Sequence, residues 1–186
     1  MKEKENILRI LRKARADILE NNPYELKSLS DQTIHSATIS QDPDNIIVAV
    51  LVYALSKVFT RENYRRMDGW DEFYNSVVKN LEFAVKHLEK DEIDKVRVHL
   101  GRIRNSINKI SGSLRIYISD VFRKAEINKA FKLYEHGLSS EKTARLLGIS
   151  LWDLASYIGQ SSISEAKIAV SMPVKERIKI VRDIFK

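Results

Sequence analysis

An all-α fold is what this sequence predicts: a helical bundle with a long heptad-patterned helix and a C-terminal helix-turn-helix unit. Three observations lead there. Only six Gly and three Pro occur in 186 residues, too few for the many turns of a sandwich or barrel. Apolar residues return at three- and four-residue spacings along most of the chain, the period of a helix with one buried face. One seam, from Ile93 through Val96, Leu100, Ile103, Ile107, Ile110, Leu114 and Tyr117 to Val121, alternates these spacings over four heptads.

The elements follow in order. Residues 3–20 read as an amphipathic helix, with Ile7, Leu11, Ala14 and Ile18 on one stripe, stopped by Asn21-Asn22-Pro23. Residues 24–41 are mixed, and short helical turns are the most expected of them. Asp42-Pro43-Asp44 then announces a helix, because Asp caps free amides, Pro suits the first turn and a second acid suits the positive end of the dipole. The run from Ile46 to Phe59 is apolar nearly all round, which places it at the bundle centre. A further helix is expected from Trp70 to Leu88, with Trp70, Phe73, Val77, Leu81, Ala84 and Leu88 on one face. The heptad seam comes next and predicts a long helix against antiparallel neighbours or a second copy of the chain. Ser111-Gly112-Ser113 can kink or split it.

Ile127 to Gln160 reads as helix, turn, helix, turn, helix. Gly137 stops the first piece, and Ser139 or Ser140 caps the second. Gly148 makes a tight turn that Ile149 plugs, and Ser150 caps a third helix carrying Trp152, Leu154 and Ile158. Ala144 lets the helices cross closely. Pro173 opens a last helix with Val174, Ile178, Val181 and Phe185 on one side, a face that covers the core or binds a partner. The expected division is a bundle over 1–124 and a helix-turn-helix unit with its C-terminal helix over 125–186.

Charge points to an acidic partner. The chain carries 32 Lys+Arg against 25 Asp+Glu, net +7, and the excess lies in the second half. From Arg97 to Lys132 there are nine basic residues and two acidic ones. Lys95, Arg102, Lys109 and Arg123 share one heptad position. Two readings stand side by side: a solvated helix face, or a stripe for phosphates if the helix is unbroken. On the second, the contacts are Arg97, Arg102, Arg104, Lys109, Arg115 and Arg123, with Lys142 and Arg145 on the shorter helix. The outward side of the third helix supplies Ser150, Ser156 and Gln160, together with Leu151 and Asp153. It has no Arg, Lys or Asn for base edges, so base reading and a purely structural use of the unit both remain open.

The phrase LYEHGLSSEKTARLLGISLWDL, within residues 127–160, resembles the helix-turn-helix segment of small prokaryotic antitoxin-type and regulator proteins. The resemblance implies DNA binding at the operon's own promoter and a partner protein, often a nuclease toxin. Under it, Val174, Ile178, Val181 and Phe185 form a toxin-binding or dimer tail.

No catalytic pattern is found. Without Cys there is no thiol nucleophile, disulfide framework or Cys-ligated zinc. His35, His87, His99 and His136 lack metal-ligand spacing, and no Gly-rich phosphate loop or nucleophile elbow occurs. The Arg61, Tyr64, Arg65, Arg66, Trp70 cluster could stack on bases. The blander reading puts Trp70 and Phe73 in the core and pairs the arginines with Glu62, Asp68, Asp71 and Glu72. The start MKEKENILRI is not patterned as a signal peptide, and the longest apolar run, the ten residues Ile46 to Leu55, is too short to span a bilayer. The expectation is a cytoplasmic, non-enzymatic nucleic-acid-binding regulator, on DNA rather than RNA, without cofactor or metal and off the membrane. A partner protein and a homodimer along the seam accompany it. The alternatives are a protein-interaction adaptor that keeps the unit as scaffold, or an RNA binder.

Overall fold

The computed structural model describes residues 1, 3–40, 42–110 and 112–165. Among them the fold is all-helical, with eight α-helices: α1 (Lys4–Leu19), α2 (Glu25–Ser40), α3 (Pro43–Phe59), α4 (Trp70–Glu89), α5 (Ile93–Ser106), α6 (Gly112–Glu135), α7 (Ser140–Leu147) and α8 (Leu151–Glu165). Short 3-10 turns cover Glu62–Arg66 and Ile107–Lys109. None of the helices is long and apolar enough to cross a membrane.

Helix α3 is the bundle's axis, as its apolar run requires. It packs on α2 and α6, with smaller contacts to α1, α5 and α7. Its entry follows the expected chemistry: Pro43 sits in the first turn and the Asp42 carboxylate accepts from the Asp44 N–H at 3.0 Å. Around it, α1 packs on α4 and α4 on α5.

Residues 25–40 correct the first reading. They form a full 16-residue helix, not isolated turns. Leu26, Leu29 and Ile34 are buried. The hydroxyls that lower helix propensity are satisfied: Ser30 Oγ donates to the Ala49 carbonyl at 2.7 Å and Thr33 Oγ1 to the Leu29 carbonyl at 2.7 Å. Packing on α3 outweighs propensity here.

The heptad seam is carried by two helices. After α5 and its 3-10 turn, Ile110 is extended (φ −80°, ψ 145°) and Gly112 is left-handed (φ +66°). The chain turns, so α5 lies on α4 and α6 on α3. Val96, Leu100, Ile103, Ile107, Ile110, Leu114 and Val121 are all buried. Tyr117 is not: past the turn the buried register passes to Ile118, Val121, Phe122 and Ala125, and Tyr117 is 47% exposed. Apart from Tyr117, the seam residues named are therefore buried within one chain.

Gly69 holds this junction. Its φ is +87°, and a Cβ there would lie 2.7 Å from Ile110 Cγ2. Gly69→Ala combines left-handed strain with a clash against a buried, branched side chain, and should cost about 2–3 kcal/mol. Gly137→Ala, at φ +91° with nothing within 4 Å, carries only the strain, about 1 kcal/mol. Urea denaturation of the two variants checks the difference.

Between α4 and α5, the rings of Phe83, His87 and His99 stack on one another. His99 is buried, and its Nδ1 lies 2.9 Å from Asn80 Oδ1, so the neutral ring donates there. Burial pushes the His99 pKa below the ordinary 6.5, helped by the charge of Arg102 and by His87. The unfolded chain therefore takes up this proton first. The stabilisation is present above about pH 6.5 and is lost as pH falls below it. The melting temperature should drop between about pH 7.5 and pH 5.5, and drop less in His99→Gln, whose amide keeps the donor to Asn80.

Helix α6 runs 24 residues, and the boundary drawn between residues 124 and 125 falls inside it. Its last turns carry a second, smaller core of Ala130, Phe131, Ala144 and Leu154, with Leu147, Ile149, Tyr157 and Ile158 packed around it. Leu147 also packs on the main core.

Candidate nucleic-acid interface

The turn chemistry around α7 and α8 is as the residues dictate. Gly137 (φ +91°) ends α6, with the Leu138 N–H reaching the Leu133 carbonyl at 3.1 Å. Ser139 caps α7, accepting from the Lys142 N–H at 3.3 Å. Gly148 is left-handed at φ +65°, and the Ile149 N–H bonds the Ala144 carbonyl at 3.1 Å. Ser150 Oγ accepts from the Asp153 N–H at 3.0 Å and donates to the Asp153 carboxylate at 2.9 Å. Trp152 stands 82% exposed at the start of α8, beside Leu151 at 50%.

The basic segment does not form a stripe. With α5 and α6 separate, the shared heptad position no longer aligns, and six of the nine cations are in ion pairs. Arg97 grips Asp44 of α3 with two bonds, Nε to Oδ1 at 2.8 Å and Nη2 to Oδ2 at 2.9 Å. This holds the Asp44 carboxyl below its usual range against the opposing effect of burial. Arg104 reaches Glu126 at 2.6 Å, tying α5 to α6. Burial pushes the Glu126 carboxyl above its usual range, and Arg104 works against that. Arg123 bridges α6 to α8 through Asp153 at 3.0 Å. Lys124 and Lys132 make exposed pairs within α6, with Asp120 and Glu135, each at 2.7 Å. Such pairs are worth little and hold their cations loosely. Lys129 is interior. Arg102, Lys109 and Arg115 are exposed and make no ion pair among the described residues.

A groove of about 580 Å³ runs between the C-terminal half of α3, the middle of α6 and α8. Tyr53, Lys57 and Arg61 form one wall, and Ser156, Tyr157 and Gln160 the other. Lys124 and Asn128 lie between them over Val121 and Ala125. Three cations face one acid, Asp153, whose charge is already met by Arg123.

The tyrosines are held as donors. Two ammonium groups lie over the Tyr53 ring, Lys57 Nζ at 5.3 Å and Lys129 Nζ at 4.3 Å from its centroid. Burial keeps its phenol above the usual range, so it stays protonated. Asn128 Nδ2 donates to the Tyr157 hydroxyl at 3.2 Å, leaving the Tyr157 proton for another acceptor. At the α3 end, Arg61 donates to Tyr64 Oη at 2.7 Å, and Tyr64 stacks on Tyr117 at 5.9 Å and 4°. A strip of cations and hydroxyl donors between two polar walls suits a phosphodiester backbone.

Of the residues expected from sequence, Ser156 and Gln160 lie in the groove. Ser150 is occupied in its cap. Arg145 pairs with Glu141 at 2.8 Å on α7, away from it, and Lys142 is exposed on the same helix. Val174, Ile178, Val181 and Phe185 lie outside the described residues. In the Arg61–Trp70 cluster, Trp70 and Phe73 are buried as the blander reading had it. The arginines are not paired with the nearby acids as that reading supposed: Arg61 turns to Tyr64, and Arg65 donates to the Phe59 carbonyl at 3.1 Å.

Sequence reasoning missed Tyr53, Lys57 and Tyr157 altogether. A signal was available: Tyr53 and Lys57, four residues apart, share one face near the end of an otherwise apolar helix. No family model, curated protein or solved structure matches the chain.

Proposed function

We propose that this chain is a non-enzymatic nucleic-acid-binding regulator that lays a phosphate backbone in the groove between α3, α6 and α8, acting on duplex DNA in preference to RNA. The carrying observation is the convergence of Lys57, Arg61 and Lys124 on a groove whose single acid is already neutralised. Duplex DNA is favoured because the succession of α7, the Gly148–Ser150 turn and α8 supports a helix-turn-helix reading, in which the second helix lies along the major groove. Binding of this kind is mainly electrostatic and only weakly sequence-selective. The resemblance of residues 127–160 adds an antitoxin-like role at its own promoter, with a partner protein held by the tail that bears Val174 and Phe185.

A second reading, a protein-interaction adaptor, draws support from the exposed Leu151–Trp152 pair. Fluorescence anisotropy with a labelled duplex at low ionic strength separates the two. Salt-sensitive binding, displaced by unlabelled duplex more readily than by structured RNA, is the expected result. Equal displacement by RNA would favour the RNA reading, and no salt-sensitive binding would leave the adaptor.

A further inference from the structure

A second cavity, of about 420 Å³, lies on the other side of α6, enclosed by α3, α5, α6 and the end of α7. We propose that it binds a small amphipathic anion, an apolar chain with one carboxylate or phosphate head. Its volume falls in the range of ligand pockets, about 300–1,000 Å³. The site stands whether or not the nucleic-acid reading does.

The lining divides by chemistry. Val50, Leu51, Leu100, Phe122 and Leu147 give an apolar floor. The polar residues at the rim are Arg97, Arg104 and Arg145 against Asp44 and Glu126, a net charge of +1. These arginines are not equally available. Arg97 is fixed by its two bonds to Asp44. Arg104 holds Glu126, which is only 12% exposed. Arg145 is 77% exposed, and its pair with Glu141 is itself 70% exposed, so it is held weakly and can turn to an incoming head group. Both carboxylates are engaged by arginine, which leaves no spare acid to recruit a cation.

Gly101 opens the space. A Cβ added there meets nothing within 4 Å, and the glycine has ordinary helical backbone. An apolar tail fits where any other residue would project. At the far end the ligand would touch Leu147, which packs on both cores, and Gly148, in the turn leading into α8.

Isothermal titration of the full chain with decanoate, decyl phosphate and decanol, below their aggregation concentrations, tests the site. The two anions should bind and decanol at least tenfold more weakly. Whichever anion binds tighter identifies the head group. Gly101→Leu, which fills the cavity and favours the helix, should reduce anion binding at least tenfold without lowering the melting temperature. Arg145→Ala should weaken the anions and leave decanol unchanged. Being an exposed change, it keeps the test standing should the filled variant fail to fold. No anion binding, decanol binding as tight as decanoate, or affinity unchanged in both variants would overturn the proposal.

Discussion

Reversing the three groove cations together, Lys57→Glu, Arg61→Glu and Lys124→Glu, should cut duplex affinity by about 100-fold or more at moderate salt. All three side chains are exposed, so the melting temperature should change little. The informative comparison is Arg102→Glu, Lys109→Glu and Arg115→Glu. It removes as much charge from the free cations of the basic segment, yet those residues line no common groove. If both triples fell equally, affinity would follow net charge and not the groove.

Asp31→Asn should be the most revealing stability change. Lys129 is 1% exposed, and its Nζ is held by Asp31 Oδ1 at 2.6 Å. Burial drives the Lys129 pKa down, and Asp31 drives it back up. Removing the carboxylate strands a buried ammonium against the Tyr53 ring. Breaking such a pair costs about 3–5 kcal/mol when both partners are buried. Asp31 is 57% exposed, so about 2 kcal/mol is expected here. Lys129→Met should be far milder, since an apolar side chain of similar length suits the site. The double variant should sit near Lys129→Met, not at the sum. Chemical denaturation of all four proteins measures the coupling. Because Lys129 supports Tyr53, Asp31→Asn should also weaken duplex binding.

What could be read from the sequence was local chemistry. The Asp42-Pro43 entry, the Gly137 stop, the Ser139 and Ser150 caps and the Gly148 turn each rest on a few adjacent residues, and each stands where it was expected. Helix α2 was hidden because its serines and threonines oppose a helix until Ser30 and Thr33 find acceptors and Leu26 and Leu29 find α3. The heptad seam was right about burial except at Tyr117, and the long helix it predicted is divided before Gly112, beside the Ser-Gly-Ser interruption that allowed a split. Periodicity records which residues face inward, not that the partner changes near Ile110, from α4 for α5 to α3 for α6.

The site was the hardest part to see. Counting charge along the chain located the excess at 97–132. It could not show Arg97 spent on Asp44, 53 residues away in sequence, or Lys129 on Asp31, 98 away. Nor could it show Lys57 facing Gln160 across α6. The net +7 is real, but the groove's cations, Lys57, Arg61 and Lys124, come from two segments far apart in sequence.

The central claim, that a phosphate backbone occupies this groove, is tested most directly by the salt dependence of duplex affinity. Wild type should be compared with the neutral variant Lys57→Gln, Arg61→Gln, Lys124→Gln. Each phosphate contact contributes about 0.9 to the slope of log affinity against log salt, so the variant's slope should be shallower by about three. An unchanged slope would place the phosphates elsewhere and contradict the account.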